Sequence, residues 1–369
     1  MDRQIKIGVV GAFRGMSLAS NAAACGMKIA AVCDKDETRL ASAEVGADAA
    51  RCADYDDFLG QDIEAVVLAN YFHEHAPFAI KALRAGKHVL SETSCNFTLA
   101  EGASLCEAVE ETGQIYMLAE NYPYTKFNQE LRRLYQSGEL GDAVYAEGEY
   151  NHPMSDEDCK KYVPDESHWR SWLPPGYYAT HALAPLMYIT GLMPKTVVGF
   201  QFGAGSGWAG LCKMEGGAVF KLLGGGAAGH SVFYRIHGTR GAAEITRGPG
   251  YFGPENVRVW HEPWDAPQGV PLERVYAPEW PDEPGEADGA GHGGGDFWVC
   301  RRFAQAVRSN AQPFLDVYRG VAMSSAGILL WRSMQAGGAP QDVPDFRDKA
   351  ARESCGGDDF RPNFRRAAK

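Results

Sequence analysis

One stretch decides the fold: Ile5-Lys6-Ile7-Gly8-Val9-Val10-Gly11-Ala12-Phe13-Arg14-Gly15-Met16. An apolar, strand-like run ends at Val10, and a glycine-containing turn leads from it into a helical stretch, while Asp34 ends the next strand-like run. This order is typical of a dinucleotide-binding unit, where backbone N–H groups and a helix N-terminus meet a pyrophosphate and an acidic side chain binds the adenosine ribose. The sequence therefore predicts a nucleotide site at the end of a parallel sheet.

The turn departs from the usual glycine pattern at two positions. Phe13 stands where a second glycine lets the backbone approach the phosphates, and Met16 stands at the third glycine position. Arg14-Gly15 restores part of the pattern after a shift of one residue. An ordinary strand–turn–helix unit that merely begins with glycine is the alternative interpretation.

Composition limits the partners of the chain. Its 369 residues are 45% hydrophobic, which allows a large core, and the length favours two domains. The net charge of -11 argues against a nucleic-acid or anionic-membrane surface, and no apolar run approaches a membrane span. Nine scattered cysteines without a Cys-x-x-Cys pair favour reduced thiols. We expect a cytoplasmic protein with a small-molecule partner and with neither a nucleic-acid nor a membrane partner.

The first part of the chain alternates between two patterns. Apolar strand-like runs and helical stretches follow one another as far as about Tyr122, which predicts a parallel sheet covered on both faces by helices. Gly26 and Gly86 stand where residues in a left-handed conformation end helices. The predicted strands cover residues 5–10, 29–33, 65–69 and 88–90, and the predicted helices cover residues 17–25 and 76–85.

Beyond about Tyr124 the predicted strands become longer and more often alternating, which indicates a mostly antiparallel sheet. Pro, Gly and acidic residues crowd residues 263–295, where we predict a long exposed loop. We predict an α/β Rossmann domain at residues 1–122 and an α+β domain on a mostly antiparallel open sheet at residues 123–369, with its C-terminal helices packed back on the core. The strands cover residues 143–150, 196–202, 218–223, 231–238, 242–246 and 257–260, and the helices residues 297–309 and 317–336.

A second motif links the chain to a family. Gly86-Lys87-His88-Val89-Leu90-Ser91-Glu92-Thr93-Ser94, with the glycine-containing start and Tyr178-Ala179-Thr180-His181, resembles the glucose-fructose oxidoreductase / inositol dehydrogenase (Gfo/Idh/MocA) family. Members of that family read Gly-Lys-His-Val-x-x-Glu-Lys-Pro in the first motif, so Thr93 stands in place of a lysine. Because a threonine hydroxyl carries no positive charge, proton transfer must fall to other residues, with histidine as the first candidate.

The resemblance implies that NAD lies across the ends of the N-terminal strands, with Glu92 on the nicotinamide ribose. Asp34 would repel a 2′-phosphate, which favours NAD, although Lys35 and Arg39 leave NADP open. His75 stands at the position of the family's usual histidine, with a local hydrogen bond at a helix start as the alternative. The residues expected to contact the cofactor are Gly11, Phe13, Arg14, Gly15, Asp34, Asn70, His75, Glu92, Thr93 and Asn121.

One branch of the family fits the rest of the chain better than the family at large. The chain is similar to NAD-dependent glycosidases of the α-N-acetylgalactosaminidase type, which also lack the lysine. In those enzymes a Tyr-x-Thr-His element and a Tyr-x-His element face the sugar, and here these are Tyr178 with His181 and Tyr150 with His152. Further similar segments are Glu120-Asn121-Tyr122, Trp169-Arg170, His292-Gly293-Gly294-Gly295-Asp296, Asp316-Val317-Tyr318 and Val343-Pro344-Asp345-Phe346.

The residue types of these elements suit the oxidation of a secondary alcohol. Such a reaction needs a base that takes the hydroxyl proton while a hydride leaves for nicotinamide, and a histidine or a tyrosine–histidine pair titrates in the right range. We predict His181 as that base with Tyr178 beside it, and Tyr150 and His152 as the second catalytic pair. The alternatives are a helix start with Thr180 as N-cap and, for His152, a buried polar network.

A further group of residues is predicted to contact the substrate. An aromatic cluster at Trp169, Trp172, Tyr177 and Tyr178 either stacks on a sugar or belongs to the core. Histidines also suit divalent metal ions, but no pair of ligands at helical spacing supports a metal site, and we expect none. The predicted substrate residues are Glu120, which is alternatively a buried structural carboxylate, Trp169, Arg170 and His292.

Three functions follow. The first is net oxidation of a ring hydroxyl, at C3 of a sugar, glycoside or cyclitol, by hydride transfer to NAD. The second is redox-neutral glycoside hydrolysis, in which C3 is oxidised, the C1 substituent is eliminated, water adds and the ketone is reduced again. The third is a non-catalytic NAD-binding homologue. The resemblance also implies a homo-oligomer that pairs through the sheet of the second domain.

Overall fold

The computed structural model describes residues 4–163, 165–166, 168–203, 207–247, 256–266, 268–281 and 285–362. These residues fold as two compact units, the first from the described residues of 1–121, 285–321 and 346–360, and the second from those of 122–284, 322–345 and 361–369. The assignment of residues 1–122 to nucleotide binding and of 123–369 to substrate binding stays a prediction.

The strands and helices are numbered in chain order. The strands are β1 Ile5–Val10, β2 Met27–Cys33, β3 Ala50–Cys52, β4 Ala65–Leu68, β5 His88–Ser91, β6 Tyr116–Leu118, β7 Ala143–Asn151, β8 Pro194–Phe202, β9 Gly207–Met214, β10 Val219–Gly225, β11 Ser231–Gly238, β12 Ala242–Ile245, β13 Val257–Trp260, β14 Glu273–Tyr276 and β15 Gln341–Asp342. The helices are α1 Arg14–Ala24, α2 Glu37–Ser42, α3 Tyr55–Leu59, α4 His75–Arg84, α5 Leu99–Thr112, α6 Lys126–Gln136, α7 Asp156–Tyr162, α8 Trp169–Trp172, α9 Thr180–Thr190, α10 Gly285–Asp288, α11 Gly295–Ser309, α12 Val317–Gln335 and α13 Lys349–Cys355.

The first unit is built on a parallel sheet, as the alternating pattern predicted. Among the described residues, its strands lie in the order β3-β2-β1-β4-β5-β6, and every neighbouring pair is parallel. Apolar side chains of β1 and β4, such as Ile7, Val9 and Val67, are fully buried. Because all these strands run the same way, their carboxyl ends meet at one edge of the sheet, where such folds bind ligands.

Two features of the helices in this unit can be compared with the sequence prediction, namely where α1 begins and how α1 and α4 end. Helix α1 starts at Arg14 rather than at the predicted residue 17, because the backbone N–H of Gly15 already donates to the carbonyl of Gly11 at 3.0 Å. Gly26 and Gly86 both have φ of +77°, which confirms their predicted left-handed role after α1 and α4. The chain later returns to this unit, where α11 packs against α1.

The second unit contains a larger mixed sheet. Over the described part of the chain its strands lie in the order β14-β13-β12-β11-β7-β10-β9-β8-β15. Neighbouring strands are antiparallel except β7 and β10, which confirms the mostly antiparallel sheet that the sequence predicted. Strand β9 was not predicted, because its run Gly-Trp-Ala-Gly-Leu-Cys-Lys-Met is interrupted by small residues.

The predicted loop over residues 263–295 is partly wrong. It contains the edge strand β14 and the short helix α10, while residues 267 and 282–284 lie outside the described part of the chain. Strand β14 has two charged side chains followed by Val and Tyr, Glu273-Arg274-Val275-Tyr276, and pairs with β13. A run this short and without alternation, among Pro, Gly and acidic residues, gives no strand pattern in the sequence.

The two faces of the larger sheet differ in character. Strand β7 places Glu147 and Glu149 on one face and Gly148 and Tyr150 on the other, because side chains alternate along a strand. The face of Glu147 carries a row of alternating charges on six adjacent strands, which we call the charge ladder. Its members are Glu273, Arg258, Glu244, Arg235, Glu147 and Lys221, and consecutive members form ion pairs of 2.5–3.3 Å.

None of the helices in the described ranges combines the length and the apolar character needed to cross a bilayer.

Candidate active site

The turn between β1 and α1 needs glycine at its first position. Gly11 has φ of +92°, and a Cβ atom there would overlap the carbonyl oxygen of Ala69 just beyond β4. The backbone N–H of Gly11 donates to Cys33 at the end of β2 at 2.9 Å. The turn is therefore held directly against the carboxyl ends of both strands that flank β1.

The structure resolves the irregular glycine pattern. The side chain of Phe13 is 60% exposed, so its ring does not fill the turn. A Cβ atom on Gly15 would lie 2.7 Å from Cγ1 of Val9, so Gly15 provides the close helix-to-strand packing of the third glycine, in line with the shift of one residue noted in the sequence. No side chain among the described residues caps the start of α1, which leaves its first backbone donors suited to an anion.

Asp34 is fixed beside this turn at the end of β2. Its Oδ2 accepts from the backbone N–H of Ala12 at 2.8 Å, and its Oδ1 accepts from that of Asp36 at 2.9 Å. Each carboxylate oxygen keeps a lone pair for a ribose hydroxyl. The nearby cations have carboxylate neighbours, Lys35 near Glu74 at 3.8 Å and Arg39 near Asp36 at 3.5 Å. The arrangement fits a dinucleotide without a 2′-phosphate.

Arg14 is the centre of a buried ionic network in the first unit. Its Nε donates to Glu92 at 2.6 Å, and its two terminal nitrogens donate to the two oxygens of Asp296 at 2.9 and 2.8 Å. Asp296 also accepts from Asn121 at 2.8 Å and from Nδ1 of His292 at 3.0 Å. Burial opposes ionisation of Asp296, but the Arg14 and His292 hydrogen bonds outweigh it and hold its pKa well below the usual range.

This network brings together four residues that the sequence analysis had named separately: Arg14, Glu92, Asn121 and His292. The guanidinium of Arg14 is committed to carboxylates, so any cofactor contact of this residue would come through its backbone. The hydrogen bond to Asp296 fixes the ring orientation of His292. The sequence analysis named Asp296 only as the last residue of a similar segment and gave it no role, although its position four residues after a histidine was a usable signal.

Three buried polar atoms at the carboxyl edge of the sheet have no hydrogen-bond partner among the described residues. They are Oδ1 of Asn70, Oγ1 of Thr93 and Oδ1 of Asn121, which follow the ends of β4, β5 and β6. Such atoms are rare in folded proteins, and a ligand commonly satisfies them. With the turn at Gly11 and the carboxylate of Asp34, these residues fit a bound pyridine dinucleotide.

The other two predicted site residues of this unit, His75 and Glu120, are fully buried. His75 begins α4, with Nδ1 at 3.0 Å from the carbonyl of Ser94 and Nε2 at 3.3 Å from that of Asn70. Burial lowers the pKa of His75, and a neutral ring can donate to only one of the two carbonyls. This geometry favours the local, structural interpretation of His75. Glu120 is fully buried beyond the end of β6.

His181 lies among tyrosine rings in the second unit. Its side chain is 6% exposed, and the ring centroids of Tyr122, Tyr150 and Tyr178 lie 4.7, 4.5 and 4.6 Å away. The hydroxyl of Tyr234 donates to the backbone carbonyl of His181 at 2.7 Å. An imidazole held beside phenol groups is suited to exchange a proton with a substrate hydroxyl.

Close packing of α9 on β7 sets this arrangement. A Cβ atom on Gly148 would overlap the carbonyl oxygen of Ala182, so the helix lies directly on the strand. Two residues further along β7, Tyr150 faces the same side and meets the ring of His181. The capping alternative was wrong in detail, because Ala179 is the N-cap, and Oγ1 of Thr180 is buried without a hydrogen-bond partner in the described chain.

His152 continues this cluster towards solvent. Its ring centroid lies 5.8 Å from that of Tyr150 and 5.1 Å from that of His230. Burial lowers the pKa of His152. The sequence analysis missed His230, because only the pairing of β11 with β7 brings it opposite His152.

Two further predicted substrate residues, Trp169 and Arg170, lie near Tyr178. The Trp169 ring is 6.4 Å from that of Tyr178, and the guanidinium of Arg170 lies 4.2 Å from the centre of the Trp169 ring. Tyr177 is buried in the core, whereas Arg170 and Trp172 are half-buried. No group of three His, Cys, Asp or Glu side chains is placed to hold a metal ion within the described ranges.

Known proteins resemble both parts of the chain. The model of the oxidoreductase family with an NAD-binding Rossmann fold matches residues 5–120, and that of the glycosyl hydrolase 109 C-terminal domain matches residues 228–351. A glycosyl hydrolase family 109 protein of Saccharopolyspora erythraea is 26% identical over 93% of this chain and 83% of its own length. A relative of the same description from Shewanella sp. is also 26% identical, over 93% and 85%.

Solved structures agree on the fold. A levoglucosan dehydrogenase in complex with NADH and levoglucosan has a TM-score of 0.77 at 18% identity, covering 93% of this chain and all of that one. An inositol dehydrogenase homologue from Azotobacter vinelandii in complex with NAD+ has a TM-score of 0.73 at 21% identity, covering 92% and 97%. With the parallel sheet, the Gly11 turn and the Asp34 carboxylate, these matches show that the chain has the fold of the Gfo/Idh/MocA oxidoreductases, that residues 5–120 are similar to the NAD-binding Rossmann domain of that family, and that residues 228–351 are similar to the glycosyl hydrolase 109 C-terminal domain.

Proposed function

We propose that this protein oxidises a secondary ring hydroxyl, at C3 of a sugar, glycoside or cyclitol, with NAD as the hydride acceptor. The observation that carries the proposal is the buried ring of His181 among Tyr122, Tyr150 and Tyr178. In this scheme His181 takes the hydroxyl proton of the substrate, and Tyr178 and Tyr150 orient the imidazole and the reacting hydroxyl. The chain lacks the lysine that family members have at the position of Thr93, and in this scheme His181 and the two tyrosines take over proton transfer.

Bound NAD supplies an acceptor for the hydride that leaves the ring carbon. The chain's own residues would bind and orient the dinucleotide: the turn at Gly11 and the start of α1 would hold the pyrophosphate, and Asp34 would bind the adenosine ribose. The buried oxygens of Asn70, Thr93 and Asn121 would satisfy polar groups at the nicotinamide end. Glu92 would bind the nicotinamide ribose, with its carboxylate fixed by Arg14 and by the backbone N–H of Thr93.

A sugar substrate is supported by the aromatic groups of the second unit and by the similar proteins. Trp169 and Tyr178 present ring faces of the kind that stack on sugars, and Arg170 beside them offers several hydrogen-bond donors. Levoglucosan is bound by one of the dehydrogenases of similar fold. Glu120 and His292, both in the first unit, remain candidates for polar contacts to the substrate.

A second reaction is favoured by the match to the glycosyl hydrolase 109 C-terminal domain and by the relatives of that description. It is hydrolysis of a glycoside without net redox change. Oxidation at C3 acidifies the C2 proton, a base removes it, and the C1 substituent leaves. Water then adds, and the C3 ketone is reduced again. His181, Tyr178, Tyr150 and His152 serve this scheme equally, since both reactions begin with the same hydride transfer.

We further propose a cytoplasmic homo-oligomer that pairs through the larger sheet. Reduced cysteines support the location, because none of the nine forms a disulfide. The alternating signs of the charge ladder would complement those of a second copy, and Leu211, beside Lys221, is half exposed on the same face.

The proposal is tested by incubating the purified protein with a panel of aryl and natural glycosides, free sugars and cyclitols. Nicotinamide absorbance and aglycone release are followed together. Reduction of nicotinamide without aglycone release supports the dehydrogenase, and release without added oxidant supports the glycosidase. If neither signal appears with any compound, the chain is a non-catalytic NAD-binding homologue and the proposed function is wrong.

A further inference from the structure

We propose that Tyr150, His152 and His230 form a proton path that carries the substrate's hydroxyl proton from His181 to solvent. This inference rests on the proposed function, because a proton path is needed only if His181 takes a proton during turnover. A buried base that is protonated in each cycle must be deprotonated before the next one. Direct exchange with water is restricted for a side chain that is 6% exposed.

Sheet register brings the members of the path together. Strands β7 and β11 are antiparallel, with Asn151 opposite Ser231, so the next residues outward, His152 and His230, lie opposite each other. Alternation places His152 on the face of Tyr150, which is the face that packs against α9. Tyr234 of β11 faces the same side, because its hydroxyl donates to the backbone carbonyl of His181.

The rings form a continuous series from the interior to the surface. Their centroids are separated by 4.5 Å from His181 to Tyr150, 5.8 Å from Tyr150 to His152 and 5.1 Å from His152 to His230. The rings are close neighbours at these separations, and hydrogen bonds or bridging waters between their polar atoms would complete the path. His181 is buried, Tyr150 and His152 are half-buried, and His230 is exposed.

The charges around the path favour release. Burial is the main cause that lowers the pKa of His152; a backbone hydrogen bond of the ring opposes it, His230 and His181 act with burial, and Asp158 acts against it. The carboxylates of the same strand, Glu147 and Glu149, belong to the other face, where Arg235 and Arg247 pair with them. A neutral resting His152 can accept a proton and give it up again.

One proton moves at each step, and no electrons are transferred along the path. Protonated His181 gives a proton to the phenol oxygen of Tyr150 while the phenol's own proton passes to His152. His152 then gives a proton to His230, which releases it to water or buffer. His181 and Tyr150 thereby regain their starting protonation. Net oxidation releases one such proton per turnover, whereas the redox-neutral reaction returns the proton to the ketone when it is reduced.

The test is the turnover of His230→Ala and His152→Asn on the panel substrate that the wild-type protein uses, measured in dilute buffer. We expect kcat to fall by roughly tenfold or more, because general acid–base groups contribute on this scale. Added imidazole restores much of the loss in His230→Ala, since it replaces the missing shuttle. The matched control is His237→Ala, a histidine of β11, which begins one residue after His230. His237 lies on the opposite face, next to Tyr145 and Trp260, and its replacement keeps wild-type kcat with and without imidazole.

Wild-type kcat in both path variants, or a loss that imidazole does not relieve in His230→Ala, overturns the path while leaving the proposed function intact. A wild-type protein that neither reduces nicotinamide nor releases an aglycone with any panel compound removes the proposed function and the path with it. Because His230 is exposed, its replacement is not expected to affect folding, and circular dichroism of the variant checks this.

Discussion

At the scale of single residues, His181 carries the chemistry of the proposed reaction. We expect His181→Ala to lower kcat by at least about a hundredfold, since a general base contributes on that scale. NAD content of the purified variant should equal that of the wild type, because the residues expected to hold the dinucleotide belong to the first unit. Turnover and cofactor content are measured on the same preparation. Full activity in the variant would remove His181 from the mechanism.

Tyr150 offers a second residue test on the same cluster. Tyr150→Phe keeps the ring that contacts His181 but removes the hydroxyl, so kcat should fall while unfolding in urea changes little. Tyr145→Phe is the matched control, because Tyr145 lies on the same strand and faces the side of the charge ladder. Equal activity of the two variants would contradict the role given to the Tyr150 hydroxyl.

Asp296 is expected to matter for stability. Removing one partner of a buried ion pair typically costs about 3–5 kcal/mol, so Asp296→Asn should lower the free energy of unfolding by this order. Urea denaturation measures the effect. Asp62→Asn, which removes one partner of the exposed pair with Lys6, is the control and should leave the stability nearly unchanged. Similar losses of stability in both variants would show that the Arg14 network stabilises the fold no more than an exposed ion pair does.

The Asp296 carboxylate should also affect how the free energy of unfolding depends on pH in acid. The pKa of Asp296 is lower in the folded protein than the value of about 3.9 in an unfolded chain. The folded state is therefore favoured by this group above about pH 4, and the benefit is lost as the pH falls towards the folded pKa. Wild-type protein should lose stability more steeply than Asp296→Asn below about pH 4, and parallel acid limbs would contradict the assignment.

At the scale of elements, the contact of α9 with β7 sets the position of His181. Gly148→Ala should cost about 1–3 kcal/mol, as overpacking usually does, and should reduce kcat because the helix must move away from Tyr150. Gly289→Ala is the control, since a Cβ atom there meets no other atom within 4 Å and the residue has no positive φ. Unchanged stability and activity in Gly148→Ala would mean that the helix and strand adjust without cost.

Elements were predictable where their pattern was long and strong. The runs at β1, β7, β11 and β13 carry enough alternation or apolar character to mark themselves, and Gly26 and Gly86 end their helices as expected. Strand β9 has small residues in place of strand formers, and β14 is short and surrounded by turn residues. Neither gives a periodic signal of its own, and only pairing with a neighbouring strand stabilises it.

The residues of the candidate site likewise differ in how well the sequence predicts them. Motifs that are contiguous in sequence, such as Tyr178 to His181 and the turn at Gly11, were found directly. Asp296 was named only as part of a similar segment and His230 was missed, because their importance depends on partners far away in the chain, Arg14 in one case and His152 in the other. The sequence left open whether position 15 or 16 takes the packing role of the third glycine, since this depends on which strand atom the helix approaches.

At the scale of the whole molecule, the proposed homo-oligomer can be tested on the face of the charge ladder. Leu211→Asp replaces a half-exposed apolar side chain beside the charge ladder with a charged one, and we expect it to shift the protein towards monomer in analytical ultracentrifugation. Trp264→Asp is the control, because Trp264 is exposed but lies outside the sheet. A wild-type protein that sediments as a monomer would contradict the proposal.

The most direct test of the whole account follows the nicotinamide itself. Purified protein is mixed rapidly with the panel substrate, either unlabelled or carrying deuterium at the ring carbon that bears the reacting hydroxyl, and the absorbance of reduced nicotinamide is recorded in the first turnover. The account predicts that the reduced form appears, that deuterium slows its appearance, and that His181→Ala abolishes it with NAD still bound. Product formation without any change in nicotinamide absorbance, and without an isotope effect, would contradict hydride transfer as the first step.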